Sequence, residues 1–507
     1  MKRIKQQIDD MYSTIQATHG VLLDDINQAR SMQFMRYVIV WLLRLAARQN
    51  VPKEELKLPL PEEQPDVFKC LPEYFLEDIV ENFKFITSNI PQIMTPQQCD
   101  EIVQVCVAFL RNTEYVKNPG VKSGLVTILF YGVQPFYNHA RGLLGDLLIG
   151  SPFAHKHLMY ALMRFYIEAE STGTHTQFYD KFNIRYEIFQ IIKCIWTNTM
   201  YRDSLAKEAN VNTDFFVQFV NRIVNDVTFV LDESLSSFSK IHELSKEVMS
   251  AAFSTLTEEQ RKEKQELLED QKGKAKSYMQ LTRESMETLI LFTETLPDAF
   301  TMPEIVQRLA DMLDYNLDIM VGSKRSQLRV DNAAEYKFDP KALLTDIVKV
   351  FLNLSVKERF VIAISKDGRS YRPENFTRAA DLMQNKVYMA PEEIRAWTVL
   401  GDRVIAARAA GEQEEEDLGE IPDEYLDPLL ADLMIDPVIL PSSKQTVERN
   451  VIRQQLLSDP IDPFNRTPLK IEDVIPNTAL KEEIEKWKAE TLAKKRAEKA
   501  GEPMDTS

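Results

Sequence analysis

The sequence predicts a long all-α array of amphipathic helices, followed by a small α+β unit near the C-terminus. Helix-start signals and helical apolar spacing recur from residue 1 to residue 410, while strand-like alternation is almost absent there. Beyond an acidic run, a compact segment contains two short β-rich runs between loops that are rich in Asp and Pro.

Length and charge restrict the class of protein. A chain of 507 residues is too long for a single compact core, so it predicts several domains or an elongated array. Hydrophobic residues make up 44% and charged residues 27%, which is typical of a folded, helix-rich protein. The net charge of −16 argues against nucleic acid as the main partner, because phosphate binding needs a basic surface.

Cysteine usage and hydropathy indicate a compartment. The four cysteines are sparse and unpatterned, which favours a reducing intracellular environment. The N-terminus lacks the apolar core of a signal peptide, and the apolar run Tyr37–Leu43 is far too short to span a bilayer. We therefore expect a cytoplasmic and nuclear protein with no membrane partner.

The helical array is predicted from its start signals and apolar stripes. Thr95-Pro96-Gln97-Gln98 and Thr301-Met302-Pro303-Glu304 have the pattern of capping boxes, and Asp339-Pro340 combines a capping acid with Pro at the first helical position. One stripe consists of Ile305, Leu309, Met312, Leu313, Leu317 and Met320. Helix density of this kind over residues 1–410 predicts a superhelical, armadillo-like array that serves as a scaffold for substrates or partners. No repeat of fixed period supports it.

An acidic segment separates the array from the small unit. Residues 411–422 read as a linker, and Glu412–Glu424 contains no basic residue and is interrupted by Gly419 and Pro422. Like charges and helix breakers predict an extended, mobile chain that lets the small unit swing. At the other end, residues 491–507 are expected to finish a basic helix and then become disordered.

The small unit covers residues 423–490. Pro437–Leu440 and Thr446-Val447 predict short strands, and Arg449–Leu457 predicts a helix. A second loop, Ser458–Pro468, carries two Asp-Pro turn signals, and Asn477 or Thr478 is expected to cap a last helix. Neither Cys nor His occurs in this unit, although loops of such a small domain are usually held by a metal or by disulfides.

These residues resemble a known domain. The unit resembles a U-box, the metal-free relative of the RING domain, through the markers Leu433-Met434-Ile435-Asp436-Pro437-Val438, Pro441-Ser442, Glu448-Arg449, Asp462-Pro463-Phe464-Asn465-Arg466 and Pro476-Asn477. Upstream, Phe178–Trp196 and Ala363–Phe376 resemble the helical core of the chain-elongating U-box ubiquitin ligases, the ubiquitin conjugation factors. Members of that family carry a longer region before this point, so residue 1 resembles the middle of the family core and the array is expected to be incomplete at its N-terminus.

The resemblance implies that polar contacts replace zinc. A RING pins its two loops with eight Cys and His ligands, whereas here a network of hydrogen bonds and ion pairs is expected to do so. Its predicted members are Asp436, Ser442, Ser443, Glu448, Arg449 and Asn477. No metal and no cofactor is expected.

The resemblance also implies a groove for a ubiquitin-conjugating enzyme. The groove residues carried over by position are Leu429, Ala431, Gln455, Pro463 and Arg466. A bulkier side chain is common in relatives at the position of Ala431. Arg466 corresponds to the cationic linchpin that contacts both enzyme and ubiquitin; the alternative is an intradomain pair with Asp462. Leu429 and Pro463 have the alternative of simple core packing.

The implied reaction is ubiquitin transfer by positioning, with no nucleophile from this chain. The resemblance predicts a U-box ubiquitin-protein ligase that extends polyubiquitin chains on substrate lysines for proteasomal degradation. Its expected partners are a conjugating enzyme, ubiquitin, ubiquitinated substrates and an AAA-type segregase ATPase. The alternative is a non-catalytic helical scaffold or adaptor that carries a degenerate U-box.

Overall fold

The computed structural model describes residues 2–169, 178–250, 253, 256–322, 333–385 and 388–501. The chain divides into two compact units. The first comprises residues 1–223 with 280–288, and the second comprises residues 224–279 with 289–507. Within the described ranges, no helix combines the length and the apolar character needed to cross a membrane.

Ten α-helices belong to the first unit among the described residues. They are α1 Lys2–Leu22, α2 Asp25–Ala47, α3 Asp66–Lys69, α4 Tyr74–Asn89, α5 Asp100–Arg111, α6 Pro119–Val133, α7 Gly142–Gly150, α8 Pro152–Glu168, α9 Phe178–Ile195 and α10 Thr199–Val211. Residues of the two long helices α11 Thr213–Val248 and α12 Glu258–Thr295 are divided between the units.

The core of the first unit forms around α5. Every residue from Val105 to Leu110 is fully buried, so this helix is apolar around its whole circumference and needs neighbours on all sides. It packs against α8, α6 and α2, and α6 in turn packs against α4 and α9. The main contacts therefore join helices that lie two or three positions apart in the chain order.

The second unit continues with α13 Pro297–Phe300, α14 Pro303–Val321, α15 Pro340–Leu354, α16 Glu358–Lys366, α17 Pro373–Asn385, α18 Pro391–Leu418, α19 Arg449–Ser458 and α20 Thr478–Gly501. Its strands are β1 Pro437–Ile439, β2 Thr446–Glu448 and β3 Ile475–Pro476, in the antiparallel order β2-β1-β3. The predicted helical array followed by a small α+β unit is confirmed, whereas an armadillo-like repeat stays a prediction.

Trp397 anchors α18 in the helical part of this unit. Its ring is fully buried, stacks on Phe376 at 4.6 Å between centroids and meets the edge of Phe351 at 5.3 Å. The indole N–H donates to the Phe376 carbonyl at 3.0 Å, so the polar end of the ring is satisfied. The N-terminal part of α18 is therefore held by contacts with α15 and α17.

The helix starts predicted at Asp339 and Thr95 are both present, with different geometry. Asp339 caps α15 as expected, because its carboxylate accepts from the amides of Lys341 and Ala342. Gln98 reaches back to the Thr95 amide at 3.1 Å, although the first turn after Thr95 is a 3-10 helix, Pro96–Gln98.

The capping box predicted at Thr301 is wrong. The hydroxyl of Thr301 donates to the Pro297 carbonyl and closes the preceding helix α13, while Met302 occupies the cap position of α14 without a side-chain bond. The carboxylate of Glu304 binds Arg453 instead of the helix amide. The acid that the local pattern assigned to the helix cap is therefore paired with Arg453, which is distant in the sequence.

The extended linker is also wrong for residues 412–418. Helix α18 runs through Gly411 to Leu418 and ends at Gly419, whose φ of +65° is a left-handed conformation that favours glycine. Side-chain pairs four residues apart join Arg408 to Glu412 and Gln413 to Asp417, which helps a run of like charges stay helical. The expectation of disorder in the tail concerns residues 502–507, which lie outside the described residues.

Asp314 is a buried acid with no hydrogen-bond partner in the part of the chain that the structure describes. It is 1% exposed in α14, and neither carboxylate oxygen has a hydrogen-bond partner among the described residues. Burial raises the pKa of Asp314 well above its ordinary value, and the nearby Asp367 and Asp311 raise it further. Asp314 is therefore held in its neutral form over a wider pH range than an exposed acid.

Replacing Asp314 with Asn is expected to stabilise the protein increasingly as pH rises. Because the pKa is raised by folding, the stability of the wild type is highest below the ordinary pKa of Asp and falls as pH rises toward the raised value, by about 1.4 kcal/mol per pH unit in that window. Asn keeps the shape and cannot ionise. The melting temperature of Asp314→Asn should exceed that of the wild type by more at pH 8 than at pH 5.

Asp402→Asn provides the matched control, since Asp402 is exposed on α18. Calorimetry of the three proteins at both pH values measures the effect. An Asp314→Asn increment that is equal at pH 5 and pH 8 would contradict a neutral buried acid.

Candidate functional site

The small unit, residues 423–490, is built on one apolar cluster. Its buried members are Val438, Leu440, Val447, Ile452, Leu469 and Val474. Val438 of β1 pairs with Val447 of β2, and Ile452 presents the inner face of α19 to them. The predicted strands, the helix and the cap Asn477, whose side chain accepts from the Leu480 amide at 3.2 Å, are all present; the short strand β3 was missed.

Two loops leave this cluster, and they share one design. The first loop reads Asp427-Pro428-Leu429-Leu430-Ala431, and the second reads Asp462-Pro463-Phe464-Asn465-Arg466. In each loop the Asp amide donates to the carbonyl five residues later at 2.8 Å, and the Asp carbonyl accepts from the amide four residues later at 2.7 Å. A β-bridge closes each base, Leu426 with Leu433 and Ile461 with Pro468.

The carboxylate of Asp427 ties the first loop to the sheet. Asp427 is 2% exposed, and its Oδ1 accepts from the amides of Leu429 and Leu430 at 2.7 and 2.9 Å. Its Oδ2 accepts from the amide of Glu448 at the end of β2, at 2.6 Å. One buried side chain therefore holds both the turn and its attachment point.

Asp462 does the same for the second loop. It is fully buried; its Oδ1 accepts from the Phe464 amide at 2.9 Å, and its Oδ2 accepts from the Ser442 hydroxyl at 2.5 Å and the Ser443 amide at 3.3 Å. Burial alone would raise the pKa of Asp462, but these hydrogen bonds outweigh burial and hold the pKa below its ordinary value. Asp462 therefore remains ionised at neutral pH.

The predicted network surrounds these two acids. The carboxylate of Asp436 binds Arg449 at 2.6 Å and Lys481 at 3.1 Å, which lowers its pKa against the opposing effect of burial. The Glu448 carboxylate accepts from the amides of Ile435 and Asp436, both at 2.8 Å. Ser442 and Ser443 contact Asp462, and the Asn477 amide donates to the Pro437 carbonyl at 2.9 Å.

Sequence reasoning missed Asp427 and Asp462 as the centres of this network. The signal was available, because each loop contains an Asp-Pro pair, Asp427-Pro428 in the first and Asp462-Pro463 in the second, although the second loop also contains Asp459-Pro460. An Asp-Pro turn is common, however, and only burial distinguishes a loop centre from a surface turn. Among the described residues, no group of three or more His, Cys, Asp and Glu side chains is arranged to hold a metal ion.

The predicted groove residues lie on both loops and on α19. Leu429, Gln455 and Pro463 are half-buried, while Ala431 and Arg466 are exposed. Ala431 and Arg466 occupy the same place in their loops, and both have a φ of +60°. Three exposed apolar side chains were not predicted: Leu430, Ile435 and Phe464.

The Arg466 side chain is available to a partner. Among the described residues it takes part in no ion pair, and Asp462 uses both of its oxygens on Ser442, Ser443 and Phe464. The left-handed backbone at Arg466 is fixed by the bond from its amide to the Asp462 carbonyl. The rigid loop therefore presents a cation beside apolar side chains, an arrangement suited to a small protein interface.

A pair of loops that hydrogen bonds to buried carboxylates hold on a three-stranded sheet defines the U-box class. The family model for the U-box domain matches residues 421–492, and the model for the ubiquitin elongating factor core matches residues 1–405. The chain belongs to the ubiquitin elongating factor family.

Curated relatives agree with this assignment. The chain is similar to ubiquitin conjugation factor E4 of Schizosaccharomyces pombe, with 41% identity over 96% of this chain and 48% of the relative. It is similar to E4 ubiquitin-protein ligase UFD2 of Saccharomyces cerevisiae, with 36% identity over 95% of this chain and 53% of the relative. The probable ubiquitin conjugation factor E4 of Arabidopsis thaliana is 34% identical over 92% of this chain and 44% of its own length. The chain thus spans about half the length of these relatives.

Removing the Asp462 carboxylate is expected to loosen both the second loop and the turn after β1. Asp462→Ala leaves the Ser442 hydroxyl and the amides of Ser443 and Phe464 without their acceptor, at about 1 kcal/mol for each lost hydrogen bond, because these donors are partly exposed to water. Amide exchange measured by mass spectrometry should accelerate in peptides that cover residues 441–445 and 459–468.

Asp459→Ala is the matched control, because Asp459 also precedes a Pro in this loop but is exposed. The control should leave exchange unchanged. Since folding lowers the pKa of Asp462, the protection it gives is complete above the ordinary pKa of Asp and is lost as pH falls through the lowered value. Equal exchange in both variants would exclude Asp462 as the loop centre.

The same design predicts that the small unit folds without metal. Chelator treatment is expected to leave the melting temperature of the protein unchanged, because hydrogen bonds to carboxylates hold the loops. Elemental analysis of the purified protein complements the melting curve. Stoichiometric zinc, with a fall in melting temperature after its removal, would overturn the prediction.

Proposed function

We propose that this chain is a U-box ubiquitin-protein ligase that recruits a ubiquitin-conjugating enzyme and extends polyubiquitin chains on substrate lysines for proteasomal degradation. The observation that carries the proposal is the pair of loops held by Asp427 and Asp462. They present half-buried Leu429 and Pro463 together with Arg466, which takes part in no ion pair with any described residue. Rigid loops reduce the conformational entropy lost on binding, which favours a small and transient interface.

The chemistry needs positioning rather than a nucleophile. Ubiquitin arrives as a thioester on the cysteine of the conjugating enzyme, and a lysine amine attacks the thioester carbon while the cysteine thiolate leaves. The ligase favours the reactive arrangement of thioester and enzyme. Leu429, Ala431, Gln455 and Pro463 would hold the enzyme, and Arg466 would act as the linchpin whose planar guanidinium bridges enzyme and ubiquitin.

The proposed role as a ubiquitin-protein ligase implies the partners of this chain. They are a conjugating enzyme, ubiquitin and ubiquitinated substrates, with the helical array as their scaffold. The similarity to relatives named ubiquitin conjugation factors supports this assignment. A segregase ATPase of the AAA type and a location in cytoplasm and nucleus are further parts of the proposal.

The alternative is a non-catalytic scaffold with a degenerate U-box. Its support is Ala431, whose methyl group offers little contact area at an exposed loop position. The exposed Leu430 and Phe464 on the two loops supply apolar area beside it and favour the ligase. Autoubiquitination with purified activating and conjugating enzymes separates the two functions, since a scaffold forms no ubiquitin conjugates.

Two variants are expected to separate docking from activation. Pro463→Ala should weaken binding of the conjugating enzyme and activity together, because Pro463 lies in the groove. Arg466→Ala should slow discharge of the thioester to free lysine by about ten- to a hundred-fold, the equivalent of roughly 1.5–3 kcal/mol for one charge-assisted contact. Its affinity for the uncharged enzyme should stay nearly that of the wild type, because ubiquitin is absent from that complex.

Lys486→Ala removes an exposed cation of α20 and serves as the control for charge. Calorimetric binding and single-turnover discharge measure the two effects. Parallel loss of binding and discharge in Arg466→Ala, with a lower melting temperature, would instead indicate a structural role. Normal discharge in folded Arg466→Ala would remove the linchpin assignment.

A further inference from the structure

An ion pair joins the U-box to the helical array inside the second unit. Arg453 of α19 lies 2.5 Å from Glu304 in the first turn of α14, and the two helices pack against each other. Their side chains are only 20% and 13% exposed, so the pair is partly shielded from solvent and is worth more than a typical surface pair.

A second attachment lies at the end of α18. This helix packs against α20, and Glu414 of α18 is 2.6 Å from Lys488 of α20. Leu418 in the last turn of α18 is 7% exposed, although its neighbours in the sequence are mostly acidic. Because α18 is rooted at Trp397 and helical to Leu418, it is a stiff connection between the array and the U-box.

The docked position leaves the groove accessible. Arg453 and Gln455 are two residues apart on α19, so their side chains are about 200° apart around the helix axis. The face that meets α14 is therefore nearly opposite the face assigned to the conjugating enzyme. Ala431 and Arg466 are exposed in the whole chain with the U-box docked.

We propose that Arg453 and Glu304 are positioning residues that hold the U-box on the array in one orientation. A conjugating enzyme in the groove then reaches a restricted set of acceptor lysines, instead of the wide range that a swinging U-box would allow. This inference rests on the proposed ligase function for its consequence, whereas the docked orientation itself is independent of that function.

Distance measurements test the orientation. Spin labels at Arg378 in α17 and at Glu472 in the U-box, both exposed, are introduced into the full chain with Cys70 replaced by Ser. The expected result is one narrow distance distribution that broadens in Arg453→Glu and in Glu304→Arg. The double variant, Arg453→Glu with Glu304→Arg, restores the pair with reversed charges and should narrow the distribution again.

Ubiquitin transfer tests the consequence. Discharge to free lysine should be unchanged in all of these variants, because free lysine reaches the thioester in any orientation. Mass spectrometry of the self-modified chain should find additional lysines in each single variant and the wild-type set in the double variant. A merely structural role for Arg453 would lower discharge and would not be rescued by reversed charges.

The control reverses an exposed pair on α18, Arg395→Glu with Glu392→Arg, and should change neither readout. Glu304 lies outside the U-box, so Glu304→Arg remains informative even where Arg453→Glu unfolds α19. A broad distribution in the wild type, or an unchanged one in Glu304→Arg, would overturn the inference. Absent discharge in the wild type would contradict the proposed function, while the distances would still decide the docking.

Discussion

Two buried carboxylates, those of Asp427 and Asp462, hold the candidate site together. A carboxylate has four lone-pair sites in a fixed plane, so it can gather donors from a turn and from a neighbouring strand at once. In this chain the donors are mostly backbone amides, which lie where the fold puts them whatever the side chains are. Each carboxylate thus binds groups from two segments and holds them together, as a zinc ion does in a zinc-bound loop, without a tetrahedral set of ligands.

This arrangement makes the protein rigid both within each loop and where the U-box attaches to the helical array. Within each loop, the amide of Ala431 or Arg466 donates to the carbonyl of the Asp four residues earlier and fixes the left-handed backbone at that residue. The direction in which its side chain leaves the surface is therefore fixed as well. At the scale of the second unit, the buried Trp397, the continuous helix α18 and the pair of Arg453 with Glu304 attach the U-box to the helices before it. Preorganisation of both kinds suits the proposed function, in which the protein contributes geometry rather than a reacting group.

Much of this fold could be predicted from the sequence because it depends on local rules. Apolar spacing predicted α14 and α15, the Asp339-Pro340 signal predicted the start of α15, and the order of turn signals predicted β1, β2 and α19. The failures have two causes. At Thr301 the hydroxyl donates to the Pro297 carbonyl and Glu304 binds Arg453, so both groups of the predicted capping box are engaged elsewhere. Along residues 412–418, side-chain pairs four residues apart and the contact of Glu414 with Lys488 favour a helix over an extended chain. Backbone closure of a preceding helix and long-range ion pairs are invisible to a local pattern.

By itself, the sequence determined the helical array, the small α+β unit that follows it and the family, because helical spacing and short motifs indicate each of these. The residues of the groove and the absence of metal remain predictions. Tertiary structure decided which acids became loop centres. Asp427 and Asp462 look like other Asp-Pro turns in the chain, and Asp459 precedes a Pro in the same loop yet stays exposed. The difference is burial: a carboxylate removed from water must find donors in the protein, and only the packed positions of Glu448, Ser442 and Ser443 provide them.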